Sequence, residues 1–169
     1  LNLNATVDCF SRAWNGELFE RGFNFTICYN EASSIRRRAC EILRSNIESL
    51  SGLFHINIQP LPWNNYSQLA QNHELPMFEL GWLPDYADPH DLAYGFVYSP
   101  GIFAQYQAYC NATIDMLVRE GIGTTNETSR RLAYYALQEL YHEDCPSIPL
   151  YQPIQRRFEW DWVQGWYHN

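Results

Sequence analysis

The sequence predicts an α/β domain, a sheet layered with crossover helices. Three observations carry that class. Apolar residues in the first half alternate with period two, then recur every three to four residues, then alternate again. The resulting order of strand, helix, strand, helix, strand is that of an α/β layer with crossover helices. The second half carries two amphipathic helical patterns and no repeat, low-complexity tract or long linker, so residues 1–169 read as a single domain.

The elements follow in order. Residues 23–30 place Phe23, Phe25, Ile27 and Tyr29 on one face of a strand. From Ser33 or Ser34 the period changes: Ile35, Ala39, Ile42, Leu43, Ile47 and Leu50 form a helical stripe that stops at Gly52. Phe54, Ile56 and Ile58 alternate again up to Pro60, a second strand. A short helix over 64–71 leads to a third apolar segment, 76–82. Beyond it, residues 112–120 carry Ile114, Leu117 and Val118 on one helical side, with Gly121 to Gly123 as the stop. Residues 126–143 repeat the pattern with Leu132, Tyr135, Ala136, Leu137, Leu140 and Tyr141, closed by Pro146. A short extended piece, 147–151, precedes an aromatic tail over 160–166.

Composition removes several functions. The chain has 11 basic residues, all Arg, against 19 acidic ones, for a net charge of −8. A surface that tracks phosphates needs the opposite balance, so no nucleic-acid partner is expected. The Arg clusters 36–38, 130–131 and 156–157 read as solvated faces. No apolar run approaches the ~18 residues that cross a bilayer. Residues 1–10 lack the basic-then-apolar grammar of a secretory signal. Cysteines at 9, 28, 40, 110 and 145 form no C-x-x-C pair, so structural zinc is not expected and at least one thiol stays free or pairs outside the chain. Their pairing is open, and burial as small hydrophobes is the plainer reading. Five Asn-X-Ser/Thr triplets begin at Asn4, Asn24, Asn65, Asn111 and Asn126, where chance placement predicts about one, an excess that fits an exported surface. Asn111 and Asn126 also stand where helix caps are expected.

The densest chemistry lies in Gly81-Trp82-Leu83-Pro84-Asp85-Tyr86-Ala87-Asp88-Pro89-His90-Asp91, directly after a predicted strand. In an α/β sheet such loops line the ligand crevice. Three readings compete. Asp85 and Asp88 could form the acid pair of a glycoside-processing enzyme. Asp85, Asp88, His90 and Asp91 could hold a metal, although the spacing lacks the Gly and terminal Glu of an EF-hand loop. Asp88 before Pro89 has the form of a helix cap, with Asp91 near the dipole, which leaves Asp85 unexplained. His142-Glu143-Asp144-Cys145 is not a zinc-protease motif, and no G-x-S-x-G, Walker or dinucleotide signature occurs. No catalytic nucleophile, cofactor or metal is nominated. Most Trp and Tyr side chains are expected in core or hinge packing.

Several segments, in this order, resemble one family: Gly22 to Asn30, Arg37 to Leu43, Gly81-Trp-Leu-Pro-Asp-Tyr-Ala-Asp-Pro89, Arg131 to Gln138, Glu143-Asp-Cys-Pro-Ser-Ile-Pro-Leu-Tyr151 and Trp162 to Tyr167. The family is the extracellular solute-binding proteins of family 5, the peptide, nickel and oligosaccharide receptors of ABC importers. The resemblance implies a periplasmic-binding-protein type II lobe, a mixed sheet flanked by helices, and specifically the C-terminal lobe of a two-lobed protein whose N-terminal lobe lies elsewhere. It implies a receptor rather than an enzyme, extracellular or periplasmic, that delivers ligand to permease subunits in the membrane. By position, Asp85 matches the acidic residue that pairs with a peptide's α-ammonium, and Trp82 an aromatic of the adjoining side-chain pocket. Gly81 and Tyr86 flank them. Glu79 replaces a basic residue that some oligopeptide receptors carry two positions before the Gly-Trp pair, so a peptide carboxylate would need another anchor. Tyr106, Gln107 and Tyr109 could line the cleft, which would also suit an oligosaccharide. A short peptide is the preferred ligand, an oligosaccharide the alternative, with metal complexes behind and a secreted glycoside-processing enzyme as the reading of a different class.

Overall fold

The computed structural model describes residues 3–152 and 158–165. Three strands form its sheet: β1 (Phe23–Asn30), β2 (Phe54–Leu61) and β3 (Met77–Glu79). The order is β2-β1-β3 and both pairings are parallel, with Phe23 opposite Phe54 and Ile27 opposite both Ile58 and Met77. A mixed sheet was expected, but the described strands all run one way. β2 and β3 are each reached by a helical crossover that returns the chain to the same end. Pro60 falls inside β2 rather than ending it, which is tolerated because β2 is an edge strand.

Helix α3 (Ser34–Glu48) connects β1 to β2, and α4 (Trp63–Gln71) connects β2 to β3. Ser33 starts α3 by accepting the Arg36 amide hydrogen on its side chain. The two helices cover opposite faces. On one, Ile27 and Tyr29 meet Ile56, with Cys40, Leu43 and Ile47 of α3 above them and Phe23 and Phe25 alongside, the strand face that the alternation predicts. On the other, Cys28, Leu61 and Phe78 pack on Tyr66 and Leu69. The inward stripe of α3 is Cys40, Leu43 and Ile47; Ile35 and Ile42, placed on the apolar stripe by sequence, stand more than half exposed.

The second half builds a helical unit from α5 (Pro89–Phe96), α6 (Ile102–Tyr106), α7 (Ala112–Gly123) and α8 (Glu127–Asp144). Ala93 and Val97, Ile114 and Val118, and Tyr134 and Leu137 form its core. Helix α7 ends at Gly123, within the predicted stop over Gly121 to Gly123, and a β-carbon at Gly121 would stand 2.9 Å from the Tyr134 ring, so that glycine lets α8 approach. On α8 the predicted Leu137, Leu140 and Tyr141 pack against this core, but in the first turns Leu132 and Tyr135 face outward while Ala133 and Tyr134 face in.

Sequence reading missed α1 (Leu3–Arg12) and α2 (Glu17–Arg21), which precede the sheet and lean Phe10 and Phe19 on Phe54. The aromatic residues correct a second expectation. Trp14, Trp160 and Trp162 are largely exposed, and Trp63 and Trp82 about half so, rather than in the core. Pro153, Trp166 and Tyr167 lie outside the described residues. No helix among the described residues is long and apolar enough to cross a membrane.

Candidate functional site

Parallel strands gather their carboxyl ends at one edge, and this chain sets the start of α3, the start of α4 and the loop after β3 there. Loop 80–88 crosses from the sheet to α5, and its shape is set by carboxylates. Asp88 is the N-cap of α5: it accepts the His90 amide hydrogen at 2.7 Å and both Arg130 Nη2 contacts, at 2.6 and 2.9 Å, so the start of α8 is clamped onto the start of α5. Arg130 holds the Asp88 carboxyl below the usual carboxylate range. Asp91 ties the loop from within, Oδ2 accepting the Asp85 backbone N–H at 3.0 Å and the Trp82 indole N–H at 3.2 Å. The cap reading of Asp88 therefore holds, and Asp91 does more than face the helix dipole.

What these bonds leave free is the Asp85 side chain. It is exposed, and its carboxylate accepts no hydrogen bond among the described residues. Trp82 beside it is 45% exposed, one side of its ring 5.2 Å from Phe103. Tyr86 is also exposed, and burial together with Asp91, Asp88 and Asp85 raises its hydroxyl above the ordinary value. Phe103 touches Tyr106 in turn, at 6.0 Å, which links the loop to a concavity of about 400 Å³. Tyr106 and Tyr109 line that concavity with Gln71, Gln105, Ser99 and Cys110. Gln107 is not in its lining: its amide turns back to the Phe103 carbonyl at 2.8 Å. The seven sequence candidates thus fall into a loop group (Gly81, Trp82, Asp85, Tyr86), a concavity group (Tyr106, Tyr109), and Gln107.

Beneath the loop lies a strut that the sequence did not disclose. Glu79, the last residue of β3, is only 7% exposed. Its Oε2 stands 3.1 Å from Nε of Arg36, whose own Nη2 donates to the Gly81 carbonyl at 3.4 Å. Tyr151 donates to Glu79 Oε1 at 3.5 Å, and Tyr66 donates to the Glu79 carbonyl at 2.9 Å. Burial pushes the Glu79 carboxyl up, and Arg36 and Tyr151 offset only part of that. Glu79 therefore does not face a ligand; it holds Arg36, and Arg36 holds the root of the loop. The position of Arg36 in the first turn after β1 was the available signal.

Among the described residues no group of His, Cys, Asp and Glu could hold a metal ion. Of the loop carboxylates, Asp88 is engaged with the His90 amide and Arg130, and Asp91 with the Asp85 amide and the Trp82 indole.

A family model described as bacterial extracellular solute-binding proteins, family 5 Middle, matches residues 10–104, more than half of the chain and all three strands and the loop. The chain belongs to this family. It is one of solute-binding receptors and not of enzymes, which removes the glycoside-processing reading. Among curated relatives, "Probable di/tripeptide-binding protein 5" of Pseudomonas aeruginosa is 25% identical over 67% of this chain and 22% of its own length. Heme-binding protein A of Haemophilus influenzae is 32% identical over 52% of this chain and 16% of its own. Among solved structures, the pheromone receptor PrgZ, described for its mode of peptide binding, superposes with a TM-score of 0.76 at 18% identity, covering 90% of this chain and 29% of that one. The family-5 chain described above thus spans less than a third of each of these proteins.

Proposed function

We propose that this chain forms the C-terminal lobe of the substrate-binding component of an ABC importer, and that it receives the α-ammonium end of a short peptide. A companion N-terminal lobe would cover the ligand, and the closed receptor would dock on permease subunits after export of the full-length protein. The observation that carries the reading is the Asp85 carboxylate: its backbone is pinned by Asp91 while its charged oxygens are left without a donor among the described residues, beside the open face of Trp82. A cation enclosed against that carboxylate makes a charge-assisted bond that water no longer screens. The named ligands of the relatives support peptides first, with heme as a reminder that the family takes other cargo.

The test uses the full-length receptor and titration calorimetry with a tripeptide and its N-acetylated form. Asp85→Asn is expected to weaken tripeptide binding about 10- to 100-fold, the worth of one hydrogen bond to a charged group. The melting temperature should not move, since the Asp85 side chain makes no hydrogen bond among the described residues and the substitution keeps the backbone N–H that Asp91 holds. The acetylated peptide should bind weakly to both forms. Equal tripeptide affinity in both proteins overturns the role of Asp85.

A second reading, an oligosaccharide ligand, has one observation of its own. The concavity pairs two tyrosine rings with the amides of Gln71 and Gln105, a lining able to stack on and hydrogen-bond a sugar. Oligosaccharide binding that is lost in Tyr106→Ala but unchanged in Asp85→Asn would favour it over the peptide.

A further inference from the structure

We propose that Cys110 and Cys145 form a disulfide that staples the open end of the α7–α8 hairpin. Both cysteines are exposed free thiols in the structure, and the residues that bracket Cys110 bind the residue before Cys145. Asp144, next to Cys145, accepts on one oxygen from Tyr109 Oη and from Asn111 Nδ2, both at 2.6 Å, and these are the two residues that bracket Cys110. The Tyr109 ring also stands edge-on to Tyr141 at 6.0 Å, and Tyr141 accepts the Cys145 N–H on its carbonyl and shares a hydroxyl bond with Ser147. The stretch on either side of Cys110 is thus tied to the last turn of α8, directly before Cys145.

A second observation points at the side chain of Cys145. It sits at φ 46°, ψ 48°, the left-handed position that closes α8, where glycine or asparagine is ordinarily chosen. A β-carbon there costs conformational energy, which a covalent partner across the hairpin would offset. The other three cysteines have no such arrangement: Cys28 and Cys40 are buried, burial pushing the Cys40 thiol up to about 11, and Cys9 lies on the separate helix α1.

The chemistry is thiol–disulfide exchange with a small-molecule disulfide such as oxidised glutathione. The Cys110 thiolate attacks one sulfur and releases one glutathione thiolate. The Cys145 thiolate then attacks the Cys110 sulfur of the mixed disulfide and releases the second, so two protein thiols are oxidised and one glutathione disulfide is reduced. The order of the two cysteines can be reversed without changing the balance.

The test is done on the full-length receptor, purified without ligand, in an oxidised glutathione buffer. After acid quench and alkylation without reductant, peptide mapping should show a Cys110–Cys145 crosslink, glutathione on Cys9, and only Cys9 still modified in the Cys110→Ser/Cys145→Ser double variant. The melting temperature of the oxidised protein should fall on reduction to that of the double variant. Separate glutathione adducts on Cys110 and Cys145 with no crosslink, or a crosslink from either to Cys9, overturn the proposal.

Discussion

At Glu79 and Asp85 two carboxylates separated by six positions have been given opposite work. Asp85 is exposed with no donor among the described residues, the condition in which a charge is available to a ligand. Glu79 is buried against Arg36, the condition in which a charge organises its neighbours. The raised Glu79 value sets the sign of a pH effect. A carboxyl that holds its proton more tightly folded than unfolded makes the fold bind protons, so its contribution is greatest at acid pH and is lost as pH rises from the ordinary carboxylate range through the raised value. Asp88, lowered by Arg130, acts the other way at more acid pH, its contribution lost as pH falls. The Glu79 effect is therefore read as a difference: urea midpoints taken from about pH 4 to 7 should decline with pH more steeply in the wild type than in Glu79→Gln. Parallel curves would show that the Glu79 proton is not coupled to folding. The role of Glu79 was not legible beforehand, because an acidic residue after an apolar run looks the same whether its side chain turns into the sheet edge or out to solvent, whereas Asp85 was already singled out by its place in the loop.

Among the elements, strands were the most legible and helix faces the least. Residues 23–30 form the strand that strict alternation predicts, and their inward set is the predicted one, because a period of two leaves only two faces. A helical period of 3.6 leaves room for error of one residue, and Ile35, Ile42, Leu132 and Tyr135 fell on the wrong side of it. Caps were read well. Asn111 starts α7 by accepting the amide hydrogens of Thr113 and Ile114, and Asn126 starts α8 by accepting that of Ser129. These bonds give the two asparagines a reason to be there other than glycosylation, and at Asn111 the amide nitrogen is also spent on Asp144. Asn111→Ala removes both the cap and that link, and should cost about 1–2 kcal/mol in denaturant unfolding. A change of a few tenths would mean that the hairpin end contributes little to stability.

For the molecule as a whole, the distribution of aromatic surface is what the proposed receptor needs. Trp82, Tyr86 and Trp63 stand open near the carboxyl edge of the sheet, where a companion lobe would close over a ligand. In the full-length receptor, small-angle scattering is expected to show a smaller radius of gyration with saturating peptide than without, since contacts from two lobes favour the shut form. An unchanged radius with bound peptide would oppose capture by closure. The sequence by itself determined the α/β class, the positions of the strands, the caps at Asp88, Asn111 and Asn126, and the loop worth inspecting, because these depend on periodicity and on residues within a few positions of one another. Only the tertiary structure decided that the described strands are all parallel, that Arg36 reaches 45 residues along the chain to the Gly81 carbonyl, that Gln107 turns away from the concavity, and that Asp85 is the carboxylate left over. Those outcomes rest on which side chains meet across distant segments, and local pattern carries no record of that.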